Sequence, residues 1–275
     1  MLPRPFLKWV GGKGQLLPEL IARVKQAAPF GRYHEPFIGG GALFFELQRL
    51  DLLGEKHAHL SDNNADLIAA YKGVRDDVDA VIERLKRHKT NHDEGHFYAV
   101  RAHVPADPID RTARIIYLNR TCYNGLYRVN SKGEFNVPFG RYKNPAICDE
   151  PVLRAASRAL KRVRLEVAHF EDSAKRAEPG DLVYFDPPYD PVSKTASFTS
   201  YAKGGFTGDS QRLLAKTVDE LTDRGVKVLL SNSYTDLIRD LYKHHTIEKV
   251  MAARNVNSRG DGRGKVAEVL VRNFD

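Results

Sequence analysis

The sequence predicts an α/β fold in which a mostly parallel sheet is interrupted by a helical insert. Two observations support the sheet, because short apolar runs alternate with helical periods, and residues 182–185 form an apolar run that leads into Asp186. A third observation supports the insert. Between residue 65 and about residue 152 the alternation gives way to helical periods and a basic, aromatic segment.

The first predicted strand and helix flank a glycine loop. A strand over His34–Ile38 is followed by Gly39–Gly41, and helical periodicity then runs from Ala42 to about Leu50. A second strand is expected over Ala58–Ser61. This order is typical of the beginning of a doubly wound α/β sheet.

The second half of the sheet is predicted to begin with the strand Leu182–Phe185. A helix over Ser210–Arg224 follows, with Gly225 suited to the position just after its end. Its predicted apolar face consists of Leu213, Leu214, Val218 and Leu221. Further strands are expected over Val226–Leu230, His245–Val250 and Val266–Phe274, and the polar stretch 255–265 is expected to be mobile.

The insert is predicted to span residues 65–152, leaving 1–64 and 153–275 as the catalytic domain. Two helical periods occupy its first part, and a third helix is expected over Ala113–Asn119. The segment Arg120–Lys143 then suggests a β-hairpin with Ser131-Lys132-Gly133 at its tip.

Composition narrows the function classes. The 275 residues carry a net charge of +8, which is compatible with a polyanionic partner. Cys122 and Cys148 have no metal-binding spacing, which favours reduced thiols. Because neither a signal peptide nor a run of about 20 apolar residues is evident, we expect a cytoplasmic, nucleoid-associated protein without membrane contact.

The glycine loop suggests a nucleotide-like cofactor. Gly39 and Gly41 lie between a strand and a helix, where glycine permits close approach of a ligand to the backbone. Asp62 follows the next strand, 21 residues beyond Gly41, where a carboxylate accepts hydrogen bonds from ribose hydroxyls. Nicotinamide and S-adenosylmethionine (AdoMet) enzymes share this arrangement, but Phe44 replaces the small residue that a dinucleotide fingerprint requires. The loop therefore favours AdoMet.

The tetrad Asp186-Pro187-Pro188-Tyr189 is the candidate catalytic motif. It follows a predicted strand at the edge where open α/β sheets bind ligands. The prolines remove two N–H donors, so the Asp186 carboxylate and the Pro187 carbonyl are acceptors suited to an aromatic amine. Tyr189 is expected to stack on the base. A turn with a capping aspartate and structural prolines is the alternative.

The segment Arg120–Lys143 has the composition of a DNA-binding surface. Its basic residues, which neutralise phosphates, are Arg120, Arg128, Lys132, Arg141 and Lys143. Its aromatic residues, which stack or wedge, are Tyr123, Tyr127, Phe135, Phe139 and Tyr142. The alternative is a solvated hairpin whose aromatic side chains pack on the helices of the insert.

Together these motifs resemble the Dam-type, alpha-class DNA adenine-N6 methyltransferases. The matching strings are FLKWVGGK (6–13), EPFIGGG (35–41), LSDNNADL (60–67), LNRTCYNGLYRVNSKGEFNVPFGRYKNP (118–145) and DPPY (186–189). The resemblance implies a Rossmann-like AdoMet-dependent methyltransferase sheet and methyl transfer to adenine in double-stranded DNA by base flipping, within GATC sites. It implies AdoMet as cofactor and no metal, and we expect a monomer in solution.

The resemblance also implies residue roles. Asp186, Pro187 and Tyr189 would be catalytic. AdoMet contacts would come from Trp9, Lys13, Asp62 and Asp186, with Phe37, Gly39 and Phe170 nearby and Gly41 in the same loop. On DNA, Tyr123 would be a wedge beside the flipped adenine, Asn124 and Arg141 would hold phosphates, and Ser193 would lie near the extruded base. Lys8, Leu126, Arg128, Pro138 and Tyr142 would read or orient the bases. Within the segment 118–145, Tyr127 and Thr121-Cys122 depart from the family pattern.

Three other classes remain for comparison. A methyltransferase of another amine, such as cytosine, RNA adenine or a glutamine side chain, would share the logic of the tetrad without this basic segment. A non-catalytic DNA-binding module is disfavoured by the intact Asp186 and Tyr189. A nicotinamide oxidoreductase is disfavoured by Phe44 and the tetrad.

Overall fold

The computed structural model describes residues 1–192, 206–253 and 265–275. The strands in these ranges are β1 (Tyr33–Glu35), β2 (Ala58–Asp62), β3 (Val163–Val167), β4 (Leu182–Phe185), β5 (Lys227–Ser233), β6 (Thr246–Ala253) and β7 (Lys265–Arg272). The helices are α1 (Leu17–Ala27), α2 (Ala42–Arg49), α3 (Ala65–Asp76), α4 (Val78–Thr90), α5 (Glu94–Ala102), α6 (Pro108–Thr121), α7 (Glu150–Leu160), α8 (Phe170–Ala174), α9 (Gly208–Asp223) and α10 (Asp236–Leu241). The predicted mobile stretch 255–265 lies almost entirely outside the described residues. None of the described helices is long and apolar enough to span a membrane.

The strands form a seven-stranded sheet of order β3-β2-β1-β4-β5-β7-β6. β1 is parallel to β2 and β4, β4 is parallel to β5, and β7 is antiparallel to β5 and β6. The predicted mixed α/β class with a mostly parallel sheet is thus confirmed. Since β1, β4 and β5 run in the same direction, their carboxyl ends share one edge, where such sheets bind ligands.

The chain divides into two compact units by its contacts. The first unit consists of Met1–Gly14, Gly39–Gly54 and Asn64–Val167, and the second of Gln15–Ile38, Glu55–Asn63 and Ala168–Asp275. This grouping places 1–14, 39–54 and 153–167 with the helical region, whereas the predicted division followed chain order. The functional division into catalytic and recognition domains remains a prediction.

The core of the second unit lies between the sheet and α9. Val183 and Phe185 of β4 pack with Leu214 and Val218 of α9 in one buried apolar cluster. The predicted apolar face of α9 is confirmed, although Leu213 is only partly buried. The helix begins two residues earlier than expected because Thr207 caps it.

The predicted strand over His34–Ile38 is shorter than expected. Ladder pairing ends at Glu35 because Pro36 has no N–H to donate. The chain still follows β2, since the Ile38 amide donates to the Ser61 carbonyl at 3.0 Å. Residues 36–38 thus carry the chain to the glycine loop without belonging to the ladder.

The helical unit contains α3–α7, of which α5 and α7 were not predicted. α3 and α6 pack so closely that a Cβ at Gly73 would lie 2.2 Å from the Thr112 hydroxyl. The predicted β-hairpin contains no regular strand within the described residues. Two isolated bridges, Cys122–Phe139 and Val129–Phe135, hold it instead. The left-handed backbone of Asn124 and Gly125 and the missing N–H of Pro138 account for the broken ladder.

Candidate active site

The tetrad lies where the sequence predicted, directly after the fully buried strand β4. Asp186 is half-buried, and its Oδ1 accepts a hydrogen bond of 3.1 Å from the Ser231 hydroxyl on β5. The Ser231 oxygen also lies 2.9 Å from the hydroxyl of the buried Tyr184. Pairing of β4 with β5 therefore fixes the Asp186 carboxylate through a serine that no sequence motif indicates.

A chain of amide hydrogen bonds holds the proline pair. Gln211 of α9 donates to the Pro188 carbonyl at 3.0 Å and accepts from the Asn232 side chain at 3.0 Å. The Asn232 oxygen in turn accepts from the Asp190 amide at 3.0 Å. The turn is thus fastened on both sides of Tyr189. Because Gln211 and Asn232 are both buried, loss of either would leave its partner unsatisfied.

Tyr189 is held by its hydroxyl. This group donates to the Glu268 carboxylate on β7 at 3.1 Å, and Glu268 is only 8% exposed. Burial raises the pKa of Tyr189 well above its ordinary value, and the Asp186 and Glu268 carboxylates raise this pKa further. The phenol therefore stays neutral and remains a donor. Whether its ring stacks on a base stays a prediction.

A second buried tyrosine–carboxylate pair lies on β1. The Tyr33 hydroxyl donates to Glu35 at 2.8 Å, and both residues are buried. Burial, followed by the charge of Glu35, raises the pKa of Tyr33 well above its ordinary value. Glu35, like Glu268, places a carboxylate near the carboxyl edge of the sheet, a feature that the sequence did not predict.

Two of the predicted cofactor residues form an aromatic pair. The Phe37 and Phe170 rings stack with centroids 5.4 Å apart, and Phe206 meets Phe37 edge-on at 5.7 Å. Asp62 ends β2, its side chain half-buried and its carbonyl accepting from the Ala168 amide at 3.1 Å. Aromatic rings suit a purine and a carboxylate suits ribose hydroxyls, so this set of residues fits AdoMet.

The glycine loop contains the left-handed residues that the sequence suggested. Gly39 has φ of +46° and Gly41, which precedes α2, has φ of +69°. The close approach at Gly39 differs from the one expected, because it is the chain's own Trp9 that lies there. A Cβ at Gly39 would be 2.9 Å from Trp9 Cδ1. Phe44 is fully buried in α2.

Lys13 belongs to the same N-terminal stretch as Trp9. Its ammonium group donates to the Gly11 carbonyl at 2.8 Å, and the residue is buried. The structure thus describes Lys13 as a well-held cation, and its contact with AdoMet stays a prediction.

The recognition segment, residues 120–143, exposes several of the predicted DNA-binding side chains. Tyr123 is 53% exposed, although its amide donates to the Pro138 carbonyl at 2.9 Å. Asn124 and Arg141 are exposed and have left-handed φ values of +54° and +51°. Leu126 and Tyr142 are partly buried. A fixed backbone therefore presents an exposed tyrosine with an amide and a guanidinium.

Two predicted base-reading residues are oriented by neighbours. The Arg128 guanidinium donates to the Asn136 side chain at 2.7 Å across the segment. The Lys8 ammonium lies 4.6 Å from the centre of the Tyr142 ring. Lys8 is also fixed through its backbone, since its amide donates to Asn119 at 2.7 Å and its carbonyl accepts from Asn119 at 2.6 Å.

Part of the segment packs against other residues of the first unit. Arg120, counted above among the phosphate-neutralising residues, turns inward and donates twice to the Phe6 carbonyl. Burial lowers its pKa. Phe135 is buried and Phe139 packs on Phe97 of α5, as the packing alternative expected. The predicted role of Ser193 falls on a residue outside the described ranges.

A mostly parallel sheet with an Asp-Pro-Pro-Tyr turn at the carboxyl end of β4 is the arrangement expected of an AdoMet-dependent methyltransferase that acts on an amino group. Residues 9–256 match the family model described as "D12 class N6 adenine-specific DNA methyltransferase". The chain belongs to this family, so its substrate is adenine in DNA and its methyl donor is AdoMet. The family match therefore excludes the three alternative classes, namely a methyltransferase of another amine, a non-catalytic DNA-binding module and a nicotinamide oxidoreductase.

Several DNA methyltransferases are similar to this chain over nearly their full length. The chain is 44% identical to the type II methyltransferase M.MjaIII of Methanocaldococcus jannaschii, over 98% of this chain and 99% of the relative. It is 41% identical to the type II methyltransferase M1.LlaDCHI of Lactococcus lactis subsp. cremoris, over 98% and 95%. It is 36% identical to the DNA adenine methylase of Escherichia coli K12, over 97% and 94%.

Proposed function

We propose that this enzyme methylates the adenine of GATC sites after rotating the base out of double-stranded DNA, and that it acts as a monomer. The observation that carries the proposal is the exposed Tyr123 on an anchored backbone. A base inside a duplex is out of reach of a methyl donor, so it must leave the stack. An exposed aromatic ring fits the gap that the base leaves.

The neighbours of Tyr123 support the same function. Asn124 and Arg141 are exposed at left-handed positions, a costly backbone state for an arginine. We assign phosphate contacts to both. Arg128, aligned by Asn136, has the planar donor pair that reads guanine in the major groove. Lys8, Leu126, Pro138 and Tyr142 complete the proposed base-reading set.

At the tetrad, Asp186 and the Pro187 carbonyl accept hydrogen bonds from the adenine amino group. Two acceptors hold the nitrogen so that its lone pair is less conjugated with the ring and is free to bond to carbon. Bound AdoMet supplies an electrophilic methyl group. The proton released after transfer goes to Asp186 or to water. The enzyme thus works by positioning and electrostatics, and the hydrogen bonds of Gln211 and Glu268 keep the turn in place.

The proposed AdoMet contacts include Asp62, Asp186 and the stacked rings of Phe37 and Phe170. Trp9, Lys13, Gly39 and Gly41 complete the proposed set. The carboxylates suit the ribose hydroxyls and the cationic donor. Phe37, which is partly exposed and stacks on the buried Phe170, suits the adenine ring of the cofactor.

Base flipping is tested with duplexes that carry 2-aminopurine at the target position, since this base fluoresces when it leaves the stack. We expect a fluorescence rise with a GATC duplex and S-adenosylhomocysteine, and a much smaller rise with Tyr123→Ala. Equal signals from GATC and scrambled duplexes would refute the site assignment. Asp186→Ala should bind the duplex yet transfer no label from AdoMet, and near-normal turnover would refute the role of that carboxylate.

A further inference from the structure

Trp9 is packed between the glycine loop and the recognition segment, both within the first unit. On one side, a Cβ at Gly39 would lie 2.9 Å from Trp9 Cδ1, and one at Gly40 would lie 3.1 Å from Trp9 Cβ. On the other side, the indole stacks on Tyr127, with ring centroids 5.4 Å apart and planes 26° from parallel. Trp9 is half-buried, so part of the indole faces solvent.

Tyr127 is itself held firmly. Its hydroxyl donates to Asp66 in the first turn of α3 at 2.9 Å, and Asp66 is paired with Arg111 at 3.2 Å. Phe135 meets the Tyr127 ring edge-on at 5.7 Å. Burial, then the charge of Asp66, raises the pKa of Tyr127 well above its ordinary value, so the phenol remains a donor. The ring is therefore a fixed surface for the indole.

The same helix also holds the glycine loop. Tyr71 of α3 donates through its hydroxyl to the Gly39 carbonyl at 3.1 Å. α3 thus fastens Gly39 through Tyr71 and Tyr127 through Asp66, and Trp9 fills the space between the two. The neighbouring Lys8 is tied to Asn119 at the base of the recognition segment.

We propose that Tyr127 is a positioning residue that couples DNA recognition to AdoMet binding through Trp9. A shift of residues 120–143 on binding DNA moves the Tyr127 ring, and the indole that rests on it then changes its packing on Gly39 and Gly40. By thermodynamic reciprocity, AdoMet bound beside Trp9 and Gly39 favours the DNA-engaged arrangement equally. The inference rests on the proposed function, which puts AdoMet next to these residues.

The test uses the full-length enzyme and its single tryptophan. The fluorescence emission of Trp9 in the ligand-free protein reports whether the indole stacks on Tyr127. We expect Tyr127→Ala to shift this emission to the red and to increase its quenching by acrylamide. Tyr98→Ala, which removes a half-exposed tyrosine of α5 in the same unit, should leave both unchanged. Unchanged emission in Tyr127→Ala would overturn the proposal at its first step.

The second step measures coupling. The affinity for S-adenosylhomocysteine is determined with and without a GATC duplex by equilibrium dialysis of labelled ligand. We expect the duplex to raise this affinity roughly tenfold in the native enzyme and in Tyr98→Ala. In Tyr127→Ala the factor should approach one.

Tyr127→Phe keeps the ring and loses the hydrogen bonds of the hydroxyl with Asp66 and Asn64, so it should retain most of the coupling. A coupling factor near one in the native enzyme, an unchanged factor in Tyr127→Ala, or equal loss in the Phe and Ala variants would overturn the proposal. Failure of the proposed function has a different signature, namely no preference for the GATC duplex over a scrambled duplex in methyl transfer. If methyl transfer and S-adenosylhomocysteine binding were normal but the coupling factor were the same with and without the Tyr127 ring, only the present proposal would be refuted.

Discussion

The Tyr189 hydroxyl donates a 3.1 Å hydrogen bond to the carboxylate of Glu268, which joins the Asp-Pro-Pro-Tyr turn after β4 to the antiparallel strand β7. Glu268 is buried and Tyr189 is partly buried, so the bond joins two groups with limited access to water. A residue 79 positions further along the chain therefore contributes to the orientation of the tetrad's aromatic ring.

Removal of the Glu268 side chain should slow the chemical step. We expect Glu268→Ala to lower kcat roughly tenfold, with a smaller change in KM for AdoMet, because the Tyr189 hydroxyl loses its hydrogen bond to β7. Glu268→Gln keeps an acceptor oxygen and should retain most of the rate. Single-turnover transfer of labelled methyl groups measures both. Tyr189→Phe should be non-additive with Glu268→Ala, and simple additivity would show that Glu268 acts elsewhere.

For the rate of methyl transfer, the side-chain N–H donor of Gln211 should matter more than its carbonyl acceptor. Gln211→Glu still accepts from Asn232 but places an oxygen against the Pro188 carbonyl, so we expect a rate loss of about 100-fold, comparable to that of other misplaced catalytic groups. Gln211→Ala should lose somewhat less, because it removes the bond without adding repulsion. The exposed Lys216→Ala on the same helix is the matched control. Native-like rates in Gln211→Glu would show that the turn holds its shape without this bond.

Arg128 should govern base preference rather than overall affinity. Arg128→Ala should lower the rate ratio between GATC and singly altered duplexes by roughly tenfold, because a lost bidentate contact is worth about 1–3 kcal/mol. Asn136→Ala should produce a milder effect of the same kind, since Asn136 aligns the guanidinium. Initial rates on a duplex panel measure this, with Arg87→Ala as a control on the exposed face of α4. A uniform loss on all duplexes would make Arg128 a phosphate contact.

The unfolding free energy should depend on pH through His88. Its Nδ1 lies 3.0 Å from His96 Nε2, and burial followed by the charge of His96 lowers the pKa of His88 to about 4. Between this pH and the ordinary value of 6.5 the unfolded chain binds more protons, so stability is complete above 6.5 and falls as the pH drops. The His88 contribution between pH 7 and pH 5 is about 2 kcal/mol.

Urea unfolding at those two pH values checks this linkage. His88→Asn should lose less stability on acidification than the native protein, whereas the exposed His103→Asn should behave like the native protein. Burial also lowers the pKa of His92, so a smaller dependence of the same sign should remain. An identical pH dependence in His88→Asn and the native protein would contradict the assignment.

The sequence predicted those parts of the fold and of the site that depend on residues close together in the chain. Strand β4 has its predicted limits, and α2 and α9 agree within two residues, because their apolar periods are strong. The tetrad and the glycine loop were recognisable because each occupies a single turn. Gln211 and Glu268 have no such local signal, since each reaches the tetrad only through the packing of a distant element.

The stack of Trp9 on Tyr127 was hidden for the same reason, as 118 positions separate the two residues. Arg120 shows the opposite failure. It belongs to a basic segment by composition, but its side chain turns inward to the Phe6 carbonyl. Composition therefore predicted the character of the surface, and only the contacts revealed which members lie on it.

The order in which the chain is made has a consequence for the first unit. Its pieces 1–14, 39–54 and 64–167 are discontinuous, and the earliest one is joined to its partner at Asn119 by reciprocal backbone bonds at Lys8. A nascent chain must therefore carry its leading residues without these partners until helix α6 has left the ribosome. Translation speed across the stretch 64–167 and chaperone contact with the waiting N-terminal residues should thus influence the yield of native enzyme.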